Sequence, residues 1–220
     1  MNNLTDLSDK RILFIGGESS LEKIVIQQLG LMDAIVELYN PSDEMNDKPQ
    51  GQFDGIVFGI VKSDFRPLKL VSHDNLVQIM NQNYFLFIDV LRDLLKGKNL
   101  KNNSSIVVYS SISSIHAMKA KMAFSSAKAA LDAAVRCLAV ELAPKGIRIN
   151  SIQKGGVNAD FEKSQIQSIS VLNDNATENK QLLGMTTAEE IANLTGFLLS
   201  DSVKTLTGTS IIIDSGYTLL

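Results

Sequence analysis

A lysine in an apolar helix is the first residue of this chain suited to moving a proton. Lys128 lies within FSSAKAALDAAVRCLAVELA, four residues after Phe124, so ring and amine share one helix face. In such surroundings an amine gives up part of its preference for the charged form. It then works as a base, or holds an enolate, near neutral pH. Phe124 has no exchangeable proton. His116, with Lys119 and Lys121 nearby, is the other side chain of this region suited to acid–base work; the alternative is a surface-loop histidine without a role. Upstream, an apolar strand at 12–15 runs into Gly16, Gly17, Glu18, Ser19 and Ser20, and a helix follows. A glycine turn between strand and helix is where backbone N–H groups receive a phosphate. The alternative is a plain turn with Glu22 on the surface of the first helical turn. His73, His116 and Cys137 are too scattered for metal-ligand spacing, so no metal is expected.

These groups need a sheet to position them. Residues 106–109 form a β-branched run ending in serines, Ser111 among them. The following helix carries apolar residues at Ala127, Leu131, Ala134, Val135, Leu138 and Leu142, the spacing of one buried face. Pro144 and Gly146 close it, and 147–152 reads as the next strand, completing a right-handed βαβ unit. Cys137, mid-helix beside Leu138, is expected to pack in the interior. Earlier come strands at 34–39 and 54–61, joined by the polar loop SDEMNDKPQGQF, and an amphipathic helix over 72–96 ended by Gly97. Thr187 and Glu190 form a capping-box pattern before a last helix, and 210–214 reads as a last strand.

Residues 106–155 resemble the core of the short-chain dehydrogenases/reductases, and the likeness extends over most of the chain. That family carries a Ser followed by Tyr-x-x-x-Lys. Ser111 stands at the Ser position, Lys128 at the Lys position, and Phe124 where the family has its proton-exchanging Tyr. Asn83 stands at the family's structural and relay Asn; the alternative is a mid-helix Asn held by backbone hydrogen bonds. The family turn G-x-x-x-G-x-G here reads Gly16, Ser20 and Glu22, and the strand end N-N-A-G reads Phe58, Gly59, Ile60 and Val61. Pro-Gly after the sixth strand is Lys154 and Gly155, and Asn40 stands where an acidic or basic residue selects NAD or NADP. The resemblance therefore implies a single α/β domain over 1–220. Its fold would be a Rossmann-type doubly wound parallel sheet missing the third-strand unit. It places Ser111, Lys128, Asn83, Phe124 and His116 in the catalytic region. Against an NAD(P)(H) cofactor it places Gly16, Ser19, Ser20, Asn40, Gly59, Lys128 and Gly155. Residues 158–185 correspond to a substrate lid. The helices at 72–96 and 124–143 correspond to a dimer bundle, with Ala129, Ala133 and Ala143 permitting close approach.

The positions that build the fold are kept, while Glu22, the F-G-I-V strand end, Phe124 and Lys154 alter those that touch cofactor or move protons. The expected function is therefore a binding or scaffold subunit, a pseudoenzyme that has lost Tyr-dependent hydride transfer. It would act as a homodimer or as a heteromer with an active relative, with a small-molecule ligand compatible with the cleft. One alternative is an NAD(P)H-dependent oxidoreductase in which Ser111 or a water replaces the phenol. Another is a non-redox isomerase, cyclase or lyase using Ser111 and Lys128. With 220 residues, 45% hydrophobic, the chain has enough apolar material for a sizeable core. A net charge of -3, with both signs scattered, gives no footprint for nucleic acid. The polar N-terminus and the lack of any ~20-residue apolar run imply a cytoplasmic setting without a membrane span.

Overall fold

The computed structural model describes residues 4–41, 49–159 and 181–220. Six strands, β1 (Arg11–Ile15), β2 (Ile35–Tyr39), β3 (Phe53–Phe58), β4 (Leu100–Ser111), β5 (Arg148–Lys154) and β6 (Ser210–Ile213), form one sheet in the order β2-β1-β3-β4-β5-β6. Every neighbouring pair is parallel. β2 is the edge of this sheet and residues 40–52 lead from it to β3, as expected of a chain without the third-strand unit. The strand order reverses between β1 and β3, and the crevice beyond their carboxyl ends is where open α/β sheets take ligands. Gly16 and Gly59 sit at that point: Gly16 N–H donates to Tyr39 O at 3.0 Å, and Gly59 N–H to Ile15 O at 2.9 Å.

Strand alternation divides the core into two layers. Ile12, Phe14, Val57, Val107 and Tyr109 face one side, with α1 (Ser20–Leu31) and the last helix, here α5 (Ala188–Leu199). Leu13, Ile15, Ile56, Phe58, Ile106 and Val108 face the other, against α3 (Leu86–Lys96) and α4 (Met122–Leu142). The capping box of Thr187 and Glu190 starts α5, with Glu190 N–H donating to Thr187 Oγ1 at 3.2 Å. After α4 a 3-10 turn over Ala143–Lys145 ends at Gly146, which takes the left-handed conformation (φ 68°). Cys137 is exposed rather than packed. The buried stripe of α4 runs through Leu131, Val135, Ala139 and Leu142, and Cys137 falls between two of its steps.

The amphipathic segment at 72–96 is not one regular helix. α2 (His73–Met80) widens into a π turn over Asn81–Phe85 before α3 begins. Asn83, wholly buried, lies in that turn. Its Nδ2 donates to Ile79 O at 3.1 Å, the carbonyl a regular helix would give to the residue's own N–H. It also donates to Lys62 O at 2.8 Å, while Oδ1 accepts from Lys62 N–H at 3.1 Å. The carboxamide thus ties the helix to the loop after β3. Of the neighbouring aromatics, Phe87 is buried and stacks edge-on against Phe58 at 5.3 Å, whereas Phe85 is largely exposed.

Candidate functional site

The glycine turn holds a carboxylate of the chain itself. Ser19 caps α1, with Glu22 N–H donating to Ser19 Oγ at 3.2 Å. Glu22 returns the contact: its Oε2 accepts from Ser19 N–H at 2.9 Å and from Gly17 N–H at 3.1 Å. The side chain is buried, not on the surface. A methyl placed on Gly16 would meet Glu22 Oε1 at 2.9 Å and Ile60 Cγ1 at 3.3 Å; one on Gly59 would meet Phe14 at 2.7 Å and Glu22 Oε1 at 3.2 Å. Gly16, Ser19 and Gly59, three of the residues placed against a cofactor, are therefore brought together around Glu22. Among the described residues Ser20 Oγ is enclosed without a hydrogen-bond partner. Asn40 Nδ2 donates to Glu18 Oε1 at 2.6 Å, so its carboxamide is held at the mouth of the turn. Gly155 lies at the far end, close against the chain after β6: an added methyl would meet Asp214 Cα at 2.8 Å.

A second centre lies where α4 crosses the ends of β4 and β5. Lys128 is wholly buried, and its Nζ donates to Tyr109 O at 3.0 Å. Burial lowers its pKa to about 7; the charge of Lys154 pushes the same way and that of Asp132 opposes it. Lys154, also buried, has its Nζ 5.4 Å from the centre of the Tyr109 ring. Burial, with Glu22 adding to it, raises the pKa of the Tyr109 phenol far above its ordinary value, against the effect of its hydrogen bond to Thr195 at 3.0 Å. That phenol stays protonated near neutral pH. Phe124 is 2% exposed and packs with Ile79, Ala123 and Ala127. Its ring centre lies 5.8 Å from Lys128 Nζ and 5.6 Å from Lys121 Nζ.

Asp132 completes this centre, one helical turn after Lys128. Its Oδ1 accepts from Ser151 Oγ at 2.8 Å and its Oδ2 from Gln153 Nε2 at 2.8 Å. Gln153 also donates to Ser114 Oγ at 2.9 Å, linking the network to the loop after β4. Glu22 and Lys154 were visible in the sequence only as departures from a pattern. Asp132 and Gln153 carried one usable signal: polar residues at the spacing of a buried stripe and inside a buried strand.

Ser111 meets this network through Ser114, whose Oγ donates to Ser111 O at 2.9 Å, while the Ser111 hydroxyl turns to the loop that leads to His116. Ser111 Oγ accepts from Ser113 N–H at 3.2 Å and donates to Ser113 Oγ at 3.1 Å. The ring of His116 packs edge-on against Tyr217 at 5.3 Å, and His116 N–H donates to Ile112 O at 2.7 Å. His116 lines an open cavity of about 470 Å³ together with Arg66, Ser113, Ser114, Met118 and Ser125, whereas Ser111, Phe124 and Lys128 do not line it. Of the lid segment at 158–185, residues 160–180 lie outside the described residues.

The turn does not fit a nicotinamide dinucleotide as it stands. The N–H groups of Gly17 and Ser19 that would meet a pyrophosphate already serve Glu22, and Ile60 lies against Gly16.

Residues 43–218 match the family model described as enoyl-(acyl carrier protein) reductase. The enoyl-acyl-carrier-protein reductase (NADH) FabI of Bacillus subtilis is 28% identical over 220 residues, covering 94% of this chain and 85% of the relative. A short chain dehydrogenase family protein from Francisella tularensis superposes with a TM-score of 0.82 at 25% identity, covering 96% of this chain and 99% of that one. The FabI–NADH complex from Alistipes finegoldii shares the fold with a TM-score of 0.83 at 18% identity, covering 98% of this chain and 90% of that one.

Proposed function

This chain belongs to the short-chain dehydrogenase/reductase family, and we propose that it is a pseudoenzyme of that family, a binding or scaffold subunit without Tyr-dependent hydride transfer. The observation that carries this is the burial of Phe124, which the sequence resemblance aligns with the proton-exchanging phenol, against Ile79, Ala123 and Ala127. A phenyl ring there completes an apolar cluster and has no proton to exchange. Lys128, which would stand beside a phenol, gives its hydrogen bond to the Tyr109 carbonyl instead. As a subunit, it pairs in this proposal with a second copy or with an active relative, through the face of α4 that carries Ala129 and Ala133. Among the described residues no helix is long and apolar enough to cross a membrane, and a cytoplasmic setting is part of the proposal.

The test is consumption of NADH and NADPH by the purified protein, offered carbonyl compounds and enoyl thioesters. No substrate-dependent consumption is expected. Turnover with any of these would overturn the proposal in favour of a second reading, an NAD(P)H-dependent oxidoreductase. That reading draws on the names of the relatives, enoyl reductases among them.

A further inference from the structure

We infer that Glu22 is a built-in anion seated where a dinucleotide's pyrophosphate would lie, and that it closes this chain to NAD(P)(H). A helix N-terminus preceded by a glycine turn attracts negative charge because its N–H groups lack partners within the helix. Here that attraction is satisfied from inside. One carboxylate oxygen of Glu22 takes the N–H groups of Gly17 and Ser19, and the other lies over the Cα atoms of Gly16 and Gly59. A side chain at Gly16 would collide with the carboxylate, and one at Gly59 would collide with the Phe14 ring and crowd the carboxylate.

A pyrophosphate entering this turn meets four obstacles. It must displace a carboxylate bound by two charge-assisted hydrogen bonds, and these are the stronger class. It must then share a desolvated crevice with that displaced charge, and like charges in one site disfavour each other strongly. The mouth is taken as well, because Asn40 is engaged by Glu18, whose carboxylate is in turn paired with Lys62 at 3.6 Å. Ile60 fills the remaining space beside Gly16. In this chain the capping box therefore takes the place of the cofactor, holding the turn without it. The inference stands on the turn alone and does not depend on whether hydride transfer is lost.

Calorimetric titration of the wild type, Glu22→Gly and Glu22→Gln with NADH and with NADPH is the test. The wild type is expected to show no saturable binding up to millimolar cofactor. Glu22→Gly is expected to bind one of the two at least ~100-fold more tightly, from two charge-assisted hydrogen bonds no longer broken on entry. Glu22→Gln keeps a capping box and so the helix start, while removing the charge; it is expected to fall between the other two. Saturable micromolar binding by the wild type overturns the inference whatever the variants do. So does a folded Glu22→Gly or Glu22→Gln protein that binds no more tightly than the wild type. Binding by the wild type without turnover would sink this inference and leave the scaffold proposal standing, so the two fail separately.

Discussion

Lys128 Nζ donates to the carbonyl oxygen of Tyr109 at 3.0 Å, joining the middle of α4 to β4 in the buried centre of the protein. A buried amine is tolerated because it gives up its charge: its pKa falls from the ordinary 10.5 to about 7. The unfolded chain therefore binds one proton more than the folded chain between about pH 7 and pH 10.5, and stability rises with pH across that window. Below pH 7 both states are protonated and the cost of burying the charge is fully present. Thermal melts from pH 6 to pH 10 are expected to show a rise for the wild type that is flattened in Lys128→Met. That variant keeps the volume of the side chain and removes the titration. Each ~1 kcal/mol moves Tm by roughly 2–4 °C in a chain of this size. Equal pH slopes for the two proteins would contradict the assignment.

Asp132 supports the same centre from one turn along the helix. Replacing it by Ala takes one partner each from Ser151 and Gln153, although Ser210 and Ser114 still hold them. Asp132→Ala is expected to lose about 1–3 kcal/mol in urea unfolding. It also removes the charge that holds the Lys128 pKa up, so the pH-dependent window should open below pH 7. A variant of wild-type stability with an unmoved window would separate Asp132 from Lys128.

Much of the fold was legible because the signals that carry it are local. The serine-ended run before β4's end, the stripe from Ala127 to Leu142 and the Thr187–Glu190 box each announce an element through its own residues. The missing third-strand unit was legible from the short polar loop after β2. The site was harder to read because its meaning lies in where side chains turn. Glu22 read either as a departure from the family's cofactor turn or as a surface residue of a first helical turn, and the same spacing from Ser19 also permits a capping box that folds the carboxylate back into the glycine turn. Lys154 read as a lost proline, with nothing in the strand to show that it would lie over Tyr109. Asn83 offered two alternatives, and its three backbone hydrogen bonds favour the structural one.

Those three bonds give Asn83 a measurable role. Asn83→Leu keeps the side chain's bulk and leaves the N–H and carbonyl of Lys62 and the carbonyl of Ile79 without this partner. A loss of roughly 2–4 kcal/mol is expected, from buried groups at about 1–3 kcal/mol each, part of it recovered by water or a regularised helix. Hydrogen exchange is expected to quicken at the π turn and at 60–63 before it changes elsewhere. Uniform quickening across the sheet would mean that Asn83 is an ordinary core residue.

Phe124→Tyr tests the proposed loss of hydride transfer by supplying a phenol where the proposal has none. The new hydroxyl would enter a site that is 2% exposed, among Ile79, Ala123 and Ala127, with the amines of Lys121 and Lys128 near the ring centre, at 5.6 and 5.8 Å. Without a good partner it costs about 1–3 kcal/mol of stability, seen as a lower urea midpoint. NADH oxidation is expected to stay absent in this single variant, because the pyrophosphate turn is still filled by Glu22. Only Phe124→Tyr combined with Glu22→Gly restores both a phenol beside an amine of lowered pKa and an open turn, so substrate-dependent oxidation is expected there or nowhere. Activity in Phe124→Tyr alone would show that the turn admits cofactor with Glu22 in place, and that the tyrosine was the one part this chain lacked.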